Sequence, residues 1–216
     1  MPGSTHSITF VPVTLANGAT IMFSATEITW DVYDLFVYGE DEPDDNPAYD
    51  AITKPTKPYI AMDRGFGRAG YPAISMSYLS ASTFCEWLSA RTGRAFRLPT
   101  VNEWREACAQ GGASHNLENT AWHAGNSGAK THPVGMRMPC KLGLFDMLGN
   151  AAEWATDDNG SGIVLGGSFR DQPELLTCDL FAAPTYAWNA SDPQFPQSRW
   201  WLADAPFVGF RIVMVE

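Results

Sequence analysis

The stretch Gly143-Leu-Phe-Asp-Met-Leu-Gly-Asn-Ala-Ala-Glu-Trp154 carries the most structural information in this chain. Two carboxylates, Asp146 and Glu153, stand seven residues apart around a glycine. A tight loop of this kind can point its main-chain carbonyls and both side chains inward. Hard cations such as Ca²⁺ take about six to eight oxygen ligands at about 2.3–2.6 Å, so the pattern suits a cation site. The alternative is a loop in which both side chains accept backbone N–H hydrogen bonds, and the pattern leaves the two interpretations open.

Helices are predicted upstream of this stretch. Arg97-Leu-Pro-Thr-Val-Asn-Glu-Trp104 starts one, because a T-x-x-E capping box begins at Thr100. An earlier helix is predicted to begin with Ser80 as its cap and to end near Gly93. A short amphipathic helix before it has Thr29 as its expected N-cap.

Short strands account for the rest of the regular structure. The Asn17-Gly18 pair between two apolar runs predicts a hairpin near the N-terminus. Downstream of Gly111 the pattern predicts loops and short strands without further helices, with strands over residues 163–169 and 207–215. No linker or internal repeat divides the chain, which favours one α+β domain.

Composition excludes several classes of protein. The chain has 216 residues, 45% of them hydrophobic, which is enough for a core and excludes global disorder. A net charge of -10 argues against nucleic-acid or anionic-membrane binding, and no apolar run approaches the roughly 20 residues of a membrane span. Residues 39–58 form an acidic, proline-rich loop. The first residues lack the pattern of a signal peptide, so we expect a cytoplasmic protein, or a periplasmic or secreted one if a leader was removed.

Several motifs together resemble those of one family, the formylglycine-generating enzymes or sulfatase-modifying factors. They occur in the order and rough spacing of that family: Glu27-Ile-Thr-x-x-x-Tyr33, Arg97-Leu-Pro-Thr-x-x-Glu-Trp104, the stretch from Gly143 to Trp154, Gly166-Gly-Ser-Phe169 and Val208-Gly-Phe-Arg211. The resemblance implies a single domain over residues 1–216 with a C-type-lectin-like fold. Two main helices, a small antiparallel sheet and much irregular backbone are then expected.

The resemblance also implies a calcium site. Its ligands would be the side chains of Asp146 and Glu153 and the carbonyls of Gly149 and Ala151. A second calcium site of the family would use Asn119, but the aspartate-bearing segment that should complete it is shortened here.

The cysteines depart from the family pattern. The resemblance implies two thiolates five residues apart after the Gly-Gly-Ser motif, which bind Cu(I) and activate O₂. Here Cys178 stands alone with Ala183 five positions later, so we predict neither copper nor formylglycine generation. We expect Cys178 to be a small buried residue, because no basic neighbour would lower its pKa, and keep it as the only catalytic candidate. The scattered Cys85, Cys108 and Cys140 are predicted to be buried thiols, with one or two disulfides left open.

Three histidines, His115, His123 and His132, fall in one loop-rich stretch. Their spacing matches no compact metal motif, so we predict surface or hydrogen-bonded loop histidines.

The segment between Ser168 and Phe210 is rich in aromatic and arginine side chains, which binding hot spots favour. In the family this stretch lines the substrate groove, and the groove residues here would be Arg170, Tyr186, Trp188, Arg199, Trp200 and Trp201, with Phe195 nearby. The same tryptophans could equally belong to the core. We therefore predict a calcium-stabilised module that binds a peptide, protein or glycan; the alternative is a metal-dependent oxidoreductase with a site around Cys178.

Overall fold

The computed structural model describes residues 6–39 and 52–215 of the chain. These ranges contain both helices and small sheets, so the predicted α+β class is confirmed. The helices are α1 (Trp30–Tyr38), α2 (Tyr78–Thr92), α3 (Val101–Gly111) and α4 (Leu117–Thr120). The strands are β1 (Phe10–Thr14), β2 (Thr20–Ser24), β3 (Ala95–Arg97), β4 (Ala152–Thr156), β5 (Gly162–Leu165), β6 (Phe181–Ala182), β7 (Val208–Gly209) and β8 (Val213–Val215).

The first sheet is antiparallel throughout, in the order β1-β2-β8-β3. The predicted hairpin is confirmed, because β1 and β2 pair around the Asn17-Gly18 turn. Asn17 Oδ1 accepts a hydrogen bond from the Ala19 N–H at 2.9 Å, and Gly18 takes the left-handed φ of 83° that such a turn needs. Since β8 lies between β2 and β3, this sheet joins the two ends of the described chain.

The second sheet is mixed, in the order β6-β5-β4-β7, with β7 parallel to β4. The strand predicted over residues 163–169 is confirmed for its first half, as β5. The single strand predicted over residues 207–215 is wrong, because this stretch is divided between β7 in the second sheet and β8 in the first. Residues 210–212 cross from one sheet to the other, and Arg211 among them pairs with Glu153 of β4.

The capping predictions are confirmed for α1 and α3 and corrected for α2. Thr29 precedes α1, and Thr100 forms the complete capping box of α3. The cap of α2 is Ser77, whose side chain accepts the Ser80 N–H at 3.2 Å. Ser80 lies inside the helix and is fully buried, and its hydroxyl shares a 2.6 Å hydrogen bond with Tyr33. Two serines three positions apart offer the same capping pattern, and burial decides between them.

Downstream of α3 the prediction of loops and strands alone is also corrected. One helical turn forms at α4, and 3₁₀ turns form at Pro173–Leu175 and Tyr186–Trp188. Of the acidic loop predicted over residues 39–58, residues 40–51 lie outside the part of the chain that the structure describes. None of the described helices is long and apolar enough to cross a bilayer.

Two hydrophobic clusters form the core. The larger packs α1 and α2 against the second sheet and the C-terminal segment. Tyr33 lies at its centre, with its ring 5.6 Å from Phe84, 5.7 Å from Phe210 and 6.0 Å from Trp201. The smaller cluster lies between the first sheet and α3 and includes Trp104. Each large side chain buried in this way contributes about 1.5–3 kcal/mol to folding.

Candidate functional site

Glu153, on β4, is held by a buried ion pair. Arg211 donates to its two carboxylate oxygens at 2.6 and 2.7 Å, and both side chains are at most 1% exposed. Trp104 Nε1 adds a third hydrogen bond at 2.7 Å. The guanidinium also donates to the carbonyls of Ser24 at 3.1 Å and Phe145 at 2.8 Å. Both oxygens of Glu153 are therefore engaged by protein donors.

Asp146 opens the loop and keeps one oxygen unpaired. It is 2% exposed and adopts a left-handed φ of 51°. Its Oδ2 accepts the Gly135 N–H at 2.7 Å, whereas Oδ1 has no hydrogen-bond partner among the described residues. Burial raises the pKa of Asp146 to about 6, and the nearby Glu153 charge acts in the same direction.

Glu27, from the segment between β2 and α1, joins the same cluster. Its Oε1 accepts hydrogen bonds from Asn150 Nδ2 at 3.0 Å and from the Ala151 N–H at 3.4 Å, while Oε2 has no partner in the described part of the chain. Burial, followed by the charges of Asp146 and Glu153, raises the pKa of Glu27 well above its usual value. In the sequence, Glu27 opens the Glu-Ile-Thr motif, and nothing in that motif places it beside Asp146.

The loop between Asp146 and Glu153 is closely packed and held in one conformation by its neighbours. At Gly149 φ is 77°, and a Cβ there would lie 2.2 Å from the Trp122 carbonyl oxygen. Asn150 ties the loop to its surroundings: its Oδ1 accepts the His132 N–H at 2.9 Å, and its Nδ2 donates to Glu27. Contacts with Trp122, His132 and Glu27 therefore hold the loop in place without a bound ion.

Asp146 and Glu27 each offer an oxygen without a hydrogen-bond partner among the described residues, whereas both oxygens of Glu153 accept hydrogen bonds. Two buried carboxylate oxygens, Asp146 Oδ1 and Glu27 Oε2, have no partner in the described ranges, as expected for ligands of a cation. No group of three or more His, Cys, Asp or Glu side chains within residues 6–39 and 52–215 has metal-binding geometry. Main-chain oxygens, such as the predicted carbonyls of Gly149 and Ala151, would have to complete the ligand shell.

Asn119 belongs to α4 on the surface. It is exposed, its side-chain amide donates to Asn116 Oδ1 at 3.1 Å, and its carbonyl accepts the Met138 N–H. These contacts do not test the second calcium site, which stays a prediction.

Cys178 forms a disulfide with Cys108, with 5.7 Å between their Cα atoms. The catalytic candidate is corrected on this point, because a sulfur in a disulfide cannot act as a thiolate nucleophile or ligand. The disulfide was an open alternative in the sequence, since 70 residues separate the two cysteines and nothing in their spacing pairs them. Of the other two cysteines, Cys85 is buried, which raises the pKa of its thiol, and Cys140 is partly exposed.

The three loop histidines are hydrogen-bonded, as predicted. His115 Nδ1 lies 3.2 Å from the Gly112 carbonyl, His123 Nδ1 accepts the Gly125 N–H at 3.1 Å, and His132 Nε2 lies 2.7 Å from the Ser127 carbonyl.

The predicted groove residues divide between core and surface. Trp200 and Trp201 are 6% and 1% exposed and belong to the larger hydrophobic cluster, which is the core alternative that the sequence left open. Trp201 Nε1 donates to the Thr56 carbonyl at 2.7 Å and its ring stacks on Trp30. In sequence the Trp-Trp pair lies between Arg199 and Leu202, so its neighbours do not separate a core position from a surface one.

The remaining groove residues lie at or near the surface. The guanidinium carbon of Arg170 lies 3.1 Å from the centre of the Phe207 ring. The Trp188 ring meets the same ring edge-on, with 5.3 Å between the two ring centres. Tyr186 is 76% exposed, and Arg199 is exposed beside Trp200.

A second groove with exposed aromatic side chains was not predicted from the sequence. It is lined by Tyr59, Pro193, Gln194, Phe195 and Pro196 and encloses about 530 Å³. Tyr59 is 77% exposed and Phe195 is fully exposed. The proline-flanked Phe195 was visible in the sequence, but its partner Tyr59 lies far upstream.

Comparisons with known proteins identify the family model and the structures that this chain resembles. A family model described as "Sulfatase-modifying factor enzyme 1-like domain" matches residues 11–215. The formylglycine-generating enzyme of Mycobacterium tuberculosis is 32% identical over 152 residues, which are 61% of this chain and 45% of that enzyme. The chain thus matches less than half the length of this curated relative.

Two solved structures share the fold. Treponema denticola variable protein 1 has a TM-score of 0.69 at 18% identity, covering 98% of this chain and 96% of its own. PvdO from Pseudomonas aeruginosa has a TM-score of 0.63 at 18% identity, covering 99% of this chain and 85% of its own.

Proposed function

This chain belongs to the family of sulfatase-modifying factor enzyme 1-like domains, and we propose that it acts as a ligand-binding member rather than as a formylglycine-generating enzyme. Its ligand would be a peptide or protein that docks in the aromatic groove formed by Tyr59 and residues 193–196. A glycan is the other ligand class that exposed aromatic rings serve. Calcium bound in the loop from Asp146 to Ala151 would stabilise the domain.

The state of the cysteines supports a role without copper chemistry. Linear Cu(I) sites need two thiolates, and Cys178 has its sulfur in a disulfide with Cys108. Cys85 is buried, and the raised pKa of its thiol disfavours the thiolate. Because the sulfur of Cys178 is in this disulfide, the support for an oxidoreductase site around Cys178 is also lost.

The exposed groove is the observation that carries the proposal. Tyr59 and Phe195 turn two large rings to solvent around a groove of about 530 Å³. Exposed apolar side chains that lie together mark interaction sites more often than scattered ones do, and tyrosine is enriched among interface hot spots. The loop that carries Phe195 is held by Asp192, whose side chain accepts the Gln194 N–H at 2.9 Å and the Ser198 N–H at 2.7 Å.

A ligand selection tests this proposal. The purified chain is used to select peptides from a displayed library, and a glycan array is probed in parallel. We expect selected peptides to lose about tenfold or more in affinity, at least roughly 1.4 kcal/mol, when Tyr59→Ala and Phe195→Ala are combined. Met138→Ala is the matched control, because Met138 is 62% exposed and lies outside the groove.

The outcomes separate the ligand classes. Peptides that bind the double variant and the wild type equally would exclude the groove as their site. Binding to glycans alone would replace the peptide by a carbohydrate ligand. In a separate assay with copper, O₂ and a cysteine-containing peptide, aldehyde formation on the peptide would contradict the absence of formylglycine-generating activity.

A further inference from the structure

Three carboxylates and one guanidinium make a buried cluster with unbalanced charge. Glu27, Asp146 and Glu153 are each at most 2% exposed, and Arg211 is fully buried among them. If all four side chains are ionised, the cluster carries two excess negative charges. A buried charge without a partner is costly, so the excess calls for a proton or a cation.

Arg211 is committed to Glu153. It donates to both carboxylate oxygens of Glu153 at 2.6 and 2.7 Å, in the two-pronged arrangement that gives the strongest ion pairs. Its remaining contacts are the carbonyls of Ser24 and Phe145, so it gives no hydrogen bond to Glu27 or Asp146. Arg137 also lowers the pKa of Asp146, but less than Arg211 does, and its guanidinium donates to the Glu118 carbonyl at 2.9 Å. The excess charge therefore falls on Glu27 and Asp146.

Glu27 and Asp146 are each fixed through one oxygen and have the other one unpaired. Glu27 Oε1 is held by Asn150 Nδ2 and the Ala151 N–H, and Asp146 Oδ2 by the Gly135 N–H. The second oxygens, Glu27 Oε2 and Asp146 Oδ1, have no hydrogen-bond partner in the described ranges. Glu27 contacts the loop that Asp146 opens, through Asn150 and Ala151, and burial, followed by the charge of Asp146, raises the pKa of Glu27.

We propose that the calcium ion of this loop is held by the carboxylates of Asp146 and Glu27, and that Arg211 excludes Glu153 from its ligand shell. This rests on the calcium part of the proposed function and changes the ligand set that the family resemblance implies. The carbonyls of Gly149 and Ala151 belong to the loop segment that Glu27 already contacts through the Ala151 N–H. The ion would tie the segment before α1 to the Asp146 loop, across 123 residues of sequence between Glu27 and Asn150.

Calcium titration of chelator-treated protein tests the ligand set. Binding is measured by calorimetry and by the thermal unfolding midpoint, with CaCl₂ as the only added ligand. Glu27→Gln and Asp146→Asn should each weaken calcium binding about tenfold or more and abolish most of the calcium-induced rise in the midpoint, because each removes a charged ligand. Glu86→Gln, at an exposed position on α2, is the matched control and should bind calcium as the wild type does.

The calcium-free proteins give a second readout. Glu27→Gln should unfold at a higher temperature than the calcium-free wild type, since it removes one buried charge, even though it loses the response to calcium. A misfolded variant would instead unfold at a lower temperature than the calcium-free wild type and would also show no response to calcium. If Glu27→Gln keeps the wild-type calcium affinity, the assignment of Glu27 is overturned while calcium binding stands. If the wild type does not bind calcium, the ion itself is overturned, and the aromatic groove is unaffected.

Discussion

Arg211 and Glu153 form a fully buried ion pair that connects the two sheets. The guanidinium lies on the segment between β7 and β8, and the carboxylate lies on β4, so the pair spans the crossing from one sheet to the other. Because Arg211 also bonds the carbonyls of Ser24 and Phe145, its loss would leave several buried acceptors without a donor.

Removing one partner of this pair should destabilise the fold strongly. We expect Arg211→Met to lower the free energy of unfolding by about 3–5 kcal/mol, because it leaves Glu153 charged and unpaired in the core. Urea unfolding followed by tryptophan fluorescence measures the change. The control is Asp179→Asn, which breaks the exposed contact with Arg105 at 3.8 Å and should cost less than about 1 kcal/mol. Equal effects of the two variants would contradict the role assigned to the buried pair.

How far the sequence predicts this site depends on the range of each contact. The capping box at Thr100 and the Asn17-Gly18 hairpin depend on neighbours in sequence, and both are confirmed. The partners of Glu153 and Cys178 lie 58 and 70 residues away, and local pattern says nothing about them. The burial of Trp201 also depends on distant contacts, with Thr56 and Trp30.

The Cys108–Cys178 disulfide should contribute substantially to stability. It closes a separation of 70 residues, for which the loop-entropy relation gives about 4 kcal/mol, with a typical measured range of about 2–5 kcal/mol. We expect the double variant Cys108→Ser with Cys178→Ser to lose that amount in urea unfolding under oxidising conditions. Cys140→Ser, at a free and partly exposed thiol, should change stability little. A double variant as stable as the wild type would show that the bridge does not constrain the unfolded chain.

Gly149 should tolerate no side chain. At this position a Cβ would meet the Trp122 carbonyl oxygen at 2.2 Å in addition to the left-handed backbone strain, so we expect Gly149→Ala to cost more than about 3 kcal/mol or to prevent folding. The matched variant is Gly160→Ala, where φ is 78° but no atom lies within 4 Å. It should cost only the strain, about 1–2 kcal/mol. Thermal unfolding of both proteins separates the clash from the strain, and similar midpoints would argue against the close approach at Trp122.

The two helix caps at Thr29 and Thr100 should differ although the residues are identical. The Thr100 hydroxyl accepts the Glu103 N–H at 3.3 Å, whereas the side chain of Thr29 makes no capping hydrogen bond. Thr100→Ala is therefore expected to lower the free energy of unfolding by about 1 kcal/mol. Thr29→Ala should have a clearly smaller effect, measured by the same urea titration. The reverse order would mean that packing of the methyl groups outweighs the caps.

Glu103 should make the stability of the protein sensitive to acid. Partial burial of its carboxylate favours a higher pKa, but two hydrogen bonds from Arg97 at 2.6 and 2.7 Å and one from the Thr100 N–H at 2.8 Å lower the pKa overall. Because the folded protein then binds this proton less readily than the unfolded chain, the contribution of Glu103 is present above the unfolded pKa of about 4.5 and is lost as the pH falls through the lower, folded value.

The variant Glu103→Gln isolates this contribution. It keeps an acceptor for the Thr100 N–H but removes the charge that Arg97 binds, so it should be less stable than the wild type at pH 7. The difference in the free energy of unfolding should shrink as the pH is lowered below about 4.5, because protonation then removes the same charge from the wild type. Glu86→Gln controls for the loss of one negative charge at an exposed position. A difference that stays constant between pH 7 and acid would mean that Glu103 acts through packing and not through its ionised contact with Arg97.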